Sequence, residues 1–285
     1  TESSITFRQV YDIARNTGAY LVEQLGVDRT PVAVFAGRKM VTPAYFLGVV
    51  YAGRPYAPID ASLPDKRIEK ILENLCPRAI VADRESLEHV ESIVDELAKT
   101  EGFDRPQIFV AEDISRFEQV ACADSNYKIS ESAGDAVTDS ENDTDGGVVA
   151  GCAGKTDDSS RDMLAVVRRQ MSMTDPLYII YTSGSTGNPK GVMTSHLSLM
   201  TYINAYCDVM HIEESDVLGN QSPLDYIAAI RDIYLPLKTG CSTAIIPKEY
   251  FMEPNALFDY MNDKKVSSVG WSVSAFTILT SLGAF

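Results

Sequence analysis

Leu177-Tyr178-Ile179-Ile180-Tyr181-Thr182-Ser183-Gly184-Ser185-Thr186-Gly187-Asn188-Pro189-Lys190-Gly191 joins an apolar run to a loop of glycines and hydroxyls, and a helical pattern follows it. Three glycines let the backbone turn its N–H groups inward without obstruction, four hydroxyls add donors and Lys190 adds a cation. Such a set suits a polyphosphate. It is not a Walker A loop, because Lys190 follows Pro189 and precedes Gly191 rather than Ser or Thr. The glycine spacing also differs from the dinucleotide fingerprint. An isolated Gly-Ser-Thr-Gly would be read as a flexible turn, whereas eleven consecutive residues of this kind specify more.

Outward from the loop, apolar strand patterns alternate with helical ones in both directions. Upstream, Thr6 and Gln9 form a capping box before a helical stripe that includes Val10, Ala14, Leu21 and Leu25. Strands are expected at 32–35, 56–59, 79–82 and 108–110, with helices at 42–50, 62–76 and 86–99; Thr42-Pro43 reads as an N-cap and first-turn pair. Downstream, strands are expected at 177–181, near 217, at 242–246 and at 266–269. The helices between and after them fall at 197–210, 228–237, 255–262 and from about 275. Strands separated by helices need crossover connections, so the fold class is α/β, with layered, mainly parallel sheets and helices on both faces.

The alternation stops at about residue 121 and resumes after 162. Between Asp124 and Asp162 ten acids face three bases, a net −7 in 39 residues, and aromatic residues are nearly absent. Such a segment buries too little apolar surface to offset its ordering entropy, and is expected to be a disordered acidic insertion. Three parts follow: a first α/β subdomain at 1–120, the insertion at 121–162, and a second α/β subdomain at 163–285 that carries the loop.

The whole chain has 285 residues, 45% of them apolar and 23% charged, within the range of globular domains. Forty acids against 25 bases leave a net charge of −15, which disfavours nonspecific nucleic-acid or membrane-surface binding. The five cysteines (Cys76, Cys122, Cys152, Cys207, Cys241) show neither a disulfide framework nor zinc spacing, and no metal site is expected. A cytoplasmic location is the expectation. The chain starts at Thr1, which suggests a piece of something larger.

The full run from Tyr181 to Val192 resembles the signature of the AMP-forming adenylating enzymes, usually YTSGSTGxPKGV. That family holds acyl-CoA synthetases, luciferases and the adenylation domains of nonribosomal peptide synthetases. Residues 51–60, Tyr-Ala-Gly-Arg-Pro-Tyr-Ala-Pro-Ile-Asp, resemble a second motif of the family, with Arg54 where a small residue is usual. Leu63-Pro64 with Arg67-Ile68 resemble the segment after it, and His196 falls where the family has a histidine. Asn220-Gln221-Ser222-Pro223 and Asp232-Ile233-Tyr234 lean toward the amino-acid-activating branch, which includes D-alanine-activating ligases.

The resemblance implies that Thr182, Ser183, Gly184, Ser185, Thr186, Gly187 and Lys190 hold the phosphates of ATP, with Mg2+, while a carboxylate attacks the α-phosphorus. Pyrophosphate leaves and an acyl-AMP remains. The acyl group then passes to the phosphopantetheine thiol of a carrier protein, or to CoA in an acyl-CoA ligase; a non-catalytic interaction module is the remaining alternative. Family members also continue beyond this point with the adenine and ribose contacts and a catalytic lysine. The chain is therefore expected to be an N-terminal portion, with no catalytic residue of its own and inactive alone.

The substrate pocket is expected at Asp225, Tyr226, Ile227 and Trp271. In amino-acid-activating members a Phe-Asp pair receives the substrate ammonium group, and an ungapped register puts Tyr226 and Ile227 there. The carboxylate is missing. Asp225 lies two positions upstream, about 160° around a helix at 100° per residue, and reads either as a substrate ligand or as the N-cap of the next helix. Trp271, the only tryptophan, reads either as a pocket wall or as a core aromatic. His196 has two readings as well, shaping the site or capping and packing, whereas His89 and His211 read as solvated.

Overall fold

The computed structural model describes residues 4–117, 163–183 and 188–283, so the expected acidic insertion lies outside the described residues. Thr6 opens α1 (Phe7–Leu25) through the expected capping box: its hydroxyl accepts from Gln9 N at 3.2 Å, and Gln9 Oε1 accepts from Thr6 N at 2.9 Å. There follow β1 (Val32–Phe35), α2 (Thr42–Tyr51), β2 (Tyr56–Pro58), α3 (Asp65–Leu75), β3 (Ala79–Ala82), α4 (Leu87–Leu97), β4 (Gln107–Val110) and α5 (Ala111–Ile114). The chain continues with α6 (Met163–Gln170), β5 (Pro176–Ser183), β6 (Pro189–Ser195), α7 (His196–Met210), β7 (Val217–Asn220) and α8 (Ile227–Thr239). It then passes through β8 (Ser242–Ile245), a 3-10 turn (Lys248–Met252), α9 (Pro254–Asp263), β9 (Ser268–Val269) and α10 (Val273–Ser281).

Six strands form one sheet in the order β4-β3-β1-β2-β5-β6, and β8-β7-β9 form a second, all-parallel sheet. Within the first sheet only β6 runs antiparallel. Side chains alternate between its two faces. Val32, Val34, Ala79, Val81 and Tyr56 meet the core beneath α1, α2 and α8, while Ala33, Phe35, Ile80, Ala82 and Ala57 meet the core beneath α3 and α4. Both faces are therefore buried, as a parallel sheet requires. Helices α1 and α2 approach closely because Gly18 and Gly48 carry no side chain; a Cβ at Gly18 would lie 2.6 Å from Tyr51 Cβ.

Two expectations are corrected. The loop after β5 does not lead into a helix: Pro189–Ser195 returns as β6, paired antiparallel with β5 from Ser183↔Pro189 to Pro176↔Ser195. Pro189 and Gly191 hide this strand in the sequence, and both are tolerated because β6 is an edge. At α2 the N-cap is Val41 rather than Thr42. The Thr42 hydroxyl instead donates to Ala36 O (2.8 Å) and Gly37 O (3.1 Å), tying the helix start to the end of β1. Among the described residues no helix is long and apolar enough to cross a membrane.

Arg54 is 1% exposed. Its Nη1 bonds Thr30 O (3.2 Å), Thr30 Oγ1 (2.7 Å) and the Asp28 carboxylate, and its Nη2 bonds Leu25 O (3.2 Å) and Gly26 O (3.1 Å). The guanidinium thus caps the open carbonyls at the C-terminus of α1. Replacement by alanine leaves those acceptors buried without a donor. Arg54→Ala is expected to lower the unfolding free energy by about 2–4 kcal/mol, read from the urea midpoint.

Candidate functional site

Parallel strands present their carboxyl ends on one edge, where α/β sheets place ligands. In the first sheet that edge carries Gly37–Lys39 after β1, Asp60 after β2, Asp83 after β3 and the glycine-rich loop after β5. In the second it carries Asn220, Ile246 and Gly270-Trp271. Arg38 joins the two edges: Nη1 donates to Ile246 O at 2.5 Å, and Nη2 to Asn220 O at 2.7 Å and Asn220 Oδ1 at 3.1 Å.

The glycine-rich loop is the tip of the β5–β6 hairpin. Gly184, Ser185, Thr186 and Gly187 lie outside the described residues, as does the side chain of Ser183. The two arms are described. Thr182 faces Lys190 across the ladder, and its hydroxyl reaches Lys190 O at 3.5 Å. Both arms are tied to α3, Tyr181 by its hydroxyl to Asn74 Oδ1 (2.8 Å) and Asn188 by its Oδ1 to Lys70 Nζ (3.1 Å). Burial, with a smaller push from Cys76, raises the Tyr181 phenol to about 12, so it stays a neutral donor. Gly191 makes room for that ring; a Cβ there would lie 3.1 Å from Tyr181 Cζ and 2.9 Å from Ile179 Cγ2. Lys190 is exposed, and among the described residues no carboxylate pairs with it. An exposed, uncommitted ammonium beside Thr182 fits a phosphate group.

His196 opens α7 at the opposite end of the hairpin, about 20 Å of strand away from the loop. Its backbone N–H bonds Asp175 O at 3.2 Å; burial lowers its pKa, against the charge of Asp175. The packing reading of His196 is the one the structure favours. His89 pairs with Asp65 at 3.0 Å on the surface, and His211 caps α7 in the left-handed conformation.

The four expected pocket residues fall in three places. Tyr226 and Ile227 are exposed at the start of α8. The helix N-cap is Tyr226, without a side-chain cap bond, so the capping reading of Asp225 is corrected. The 160° argument falls too, because Tyr226 is extended (φ −113°, ψ 144°) rather than helical. Asp225 instead lines a cavity of about 30 Å³ with Gly37, Arg38, Asp60, Pro223 and Lys248. Burial, and then the charge of Asp60, holds its carboxyl above the usual range.

Trp271 lies at the carboxyl end of β9. It packs edge-on against Phe251 (5.0 Å between centroids), tilts against Phe276 (5.6 Å), and donates from Nε1 to Gly219 O at 3.1 Å. Sequence reasoning missed Arg231, whose guanidinium occupies the space a side chain at Gly270 would fill: Nη1 lies 1.2 Å from that Cβ position. The usable signal was spacing, since Arg231 is one helical turn after Ile227.

A carboxyl whose pKa is raised on folding stabilises the fold at low pH, and that contribution is lost as pH rises through the folded-state value. Asp225→Asn is therefore expected to raise the melting temperature at pH 7, with the gain shrinking as the pH falls toward 4. A gain that persists unchanged at low pH would show that ionisation of Asp225 is not responsible.

The AMP-binding enzyme family model matches residues 1–285. The D-alanine–D-alanyl carrier protein ligase of Bacillus velezensis is 26% identical over 267 residues, and that of Bacillus licheniformis 25% identical over 266. Each alignment covers 93% of this chain and 42% of the relative, so the chain spans less than half the length of the curated relatives it matches. Among solved structures, a four-domain nonribosomal peptide synthetase bound to AMP and glycine aligns with a TM-score of 0.67 at 19% identity, over 97% of this chain and 16% of that one. ATP-bound MatB from Rhodopseudomonas palustris aligns with a TM-score of 0.65 at 16% identity, over 94% and 44%. A match along its whole length, on an α/β fold with six strands in its first sheet, makes this chain a member of the AMP-binding enzyme family.

Proposed function

We propose that the chain is the N-terminal part of an ATP-dependent enzyme that activates an amino acid or related carboxylic acid as acyl-AMP, releasing pyrophosphate. The observation that carries this reading is the hairpin: Thr182 and the uncommitted Lys190 stand opposite one another at the base of a loop rich in glycines and hydroxyls. Lys190 and the hydroxyls of Thr182, Ser183, Ser185 and Thr186 would hold the β- and γ-phosphates of ATP, with Mg2+ bound to the phosphates. Their contribution is position and charge stabilisation as negative charge builds on the leaving pyrophosphate. The similarity to D-alanine–D-alanyl carrier protein ligases supports a carrier-protein phosphopantetheine as the acceptor thiol. Asp225, Tyr226, Ile227 and Trp271 are assigned to the acyl side of the crevice.

Pyrophosphate exchange by the full-length protein across amino, hydroxy and aryl acids tests the reading. With whichever acid is turned over, Lys190→Ala is expected to lower the exchange rate about 100-fold, the scale on which single charge-stabilising donors act. An unchanged rate would remove the loop from the mechanism.

A further inference from the structure

We propose that Asn74 and Lys70 of α3 are positioning residues for the glycine-rich hairpin, holding Thr182 and Lys190 where they meet the phosphates of ATP; this inference rests on the adenylation reading above. The sheet itself does little to aim the hairpin. β5 is in register with β2 at Tyr56↔Tyr178 alone, whereas its ladder with β6 runs on to Ser183↔Pro189. From Ile179 outward the two strands are therefore partnered by each other, with β6 as the edge of the sheet. A two-stranded ribbon is marginally stable in water by itself, so its direction has to come from side chains on a rigid neighbour.

Helix α3 is that neighbour. Its Ile68, Ile71, Leu72 and Leu75 are buried in the core beneath the first sheet, and Ile179 and Tyr181 pack against the same core. Alternation along the strand then puts Tyr181 on the α3 face and Thr182 on the other. Lys190 is directly opposite Thr182, and residues opposite one another in an antiparallel pair share a face. The groups assigned to the phosphates thus stand on one side of the ribbon and its anchor on the other.

The two polar contacts bracket the loop. On the entering arm Tyr181, next to Thr182, donates from its hydroxyl to Asn74 Oδ1 at 2.8 Å. On the leaving arm Asn188, two residues before Lys190, accepts at Oδ1 from Lys70 Nζ at 3.1 Å. Lys70 and Asn74 are four residues apart and so are neighbours on one face of the helix. A single helix face, fixed by its buried side, holds both ends of the loop at once. Loss of either contact leaves one arm free to turn about the other, and a small misplacement of charge-stabilising groups is costly in a site that works by position.

Asn74, Lys70 and Asn188 are exposed, so their replacement leaves the core intact. The test is calorimetric titration of the full-length protein with ATP and Mg2+, followed by pyrophosphate exchange on the same samples. Asn74→Ala is expected to weaken ATP binding about 3- to 10-fold, the scale of one hydrogen bond, and to lower kcat/KM for ATP by the same factor while the KM of the acid stays unchanged. Asn74→Asp keeps the shape and an acceptor for the Tyr181 hydroxyl, and is expected to restore both. Tyr181→Phe breaks the same bond, so Asn74→Ala combined with Tyr181→Phe is expected to bind ATP no more weakly than Asn74→Ala alone. Lys70→Ala and Asn188→Ala form a second cycle with the same expectation. A lower melting temperature for Asn74→Ala with its ATP affinity unchanged shows a structural bond only and overturns the proposal, as do additive losses in both cycles. Exchange by the unmodified protein with none of the acids defeats adenylation, while the ATP affinities of the variants still decide whether α3 aims the loop; no binding of ATP by the unmodified protein overturns both.

Discussion

Arg38 is the constraint on which the site depends. The carboxyl ends of two separate sheets must stay in register to form one crevice, and the backbone oxygens of Asn220 and Ile246 at those ends accept from a side chain rooted in the first sheet. Burial lowers the pKa of Arg38, against the nearby charges of Tyr260, Glu249 and Asp232. A side chain without donors would remove these hydrogen bonds between the two strand edges, where Lys248 also faces Asp60 at 3.9 Å. The hydrophobic cores hold each layer together without specifying this alignment, because apolar packing is non-directional.

Much of this architecture was readable from periodicity. The capping box of α1, the buried strands 32–35 and 79–82, and the crossover helices between them follow from patterns that a local reading detects. The edge strand β6 was not readable: Pro189 and Gly191 are strand breakers in isolation, and only the ladder with β5 and the space under the Tyr181 ring make them acceptable. The orientation of Asp225 turned on one dihedral pair at Tyr226, which the sequence leaves open. Arg231 escaped notice because its partner is the absence of a side chain at Gly270, 39 positions later, and nothing local marks that meeting.

The charge distribution shows why bulk properties and site chemistry have to be argued separately. A chain of net charge −15 presents an uncommitted Lys190 at its loop and two guanidiniums about one carboxylate at its seam. Beyond a screening length of about 8 Å at physiological salt, the exposed acids contribute little to these positions. The buried cations are screened less, since little water intervenes.

The two cationic places also differ in kind. Lys190 stands on an exposed hairpin arm as a flexible, strongly hydrated ammonium. Arg231 is held on both sides by Asp232 and Tyr206, so its planar guanidinium has a fixed direction. A hydrated lysine on an exposed arm and a paired arginine in the buried wall therefore differ in their freedom to move and in their sensitivity to salt.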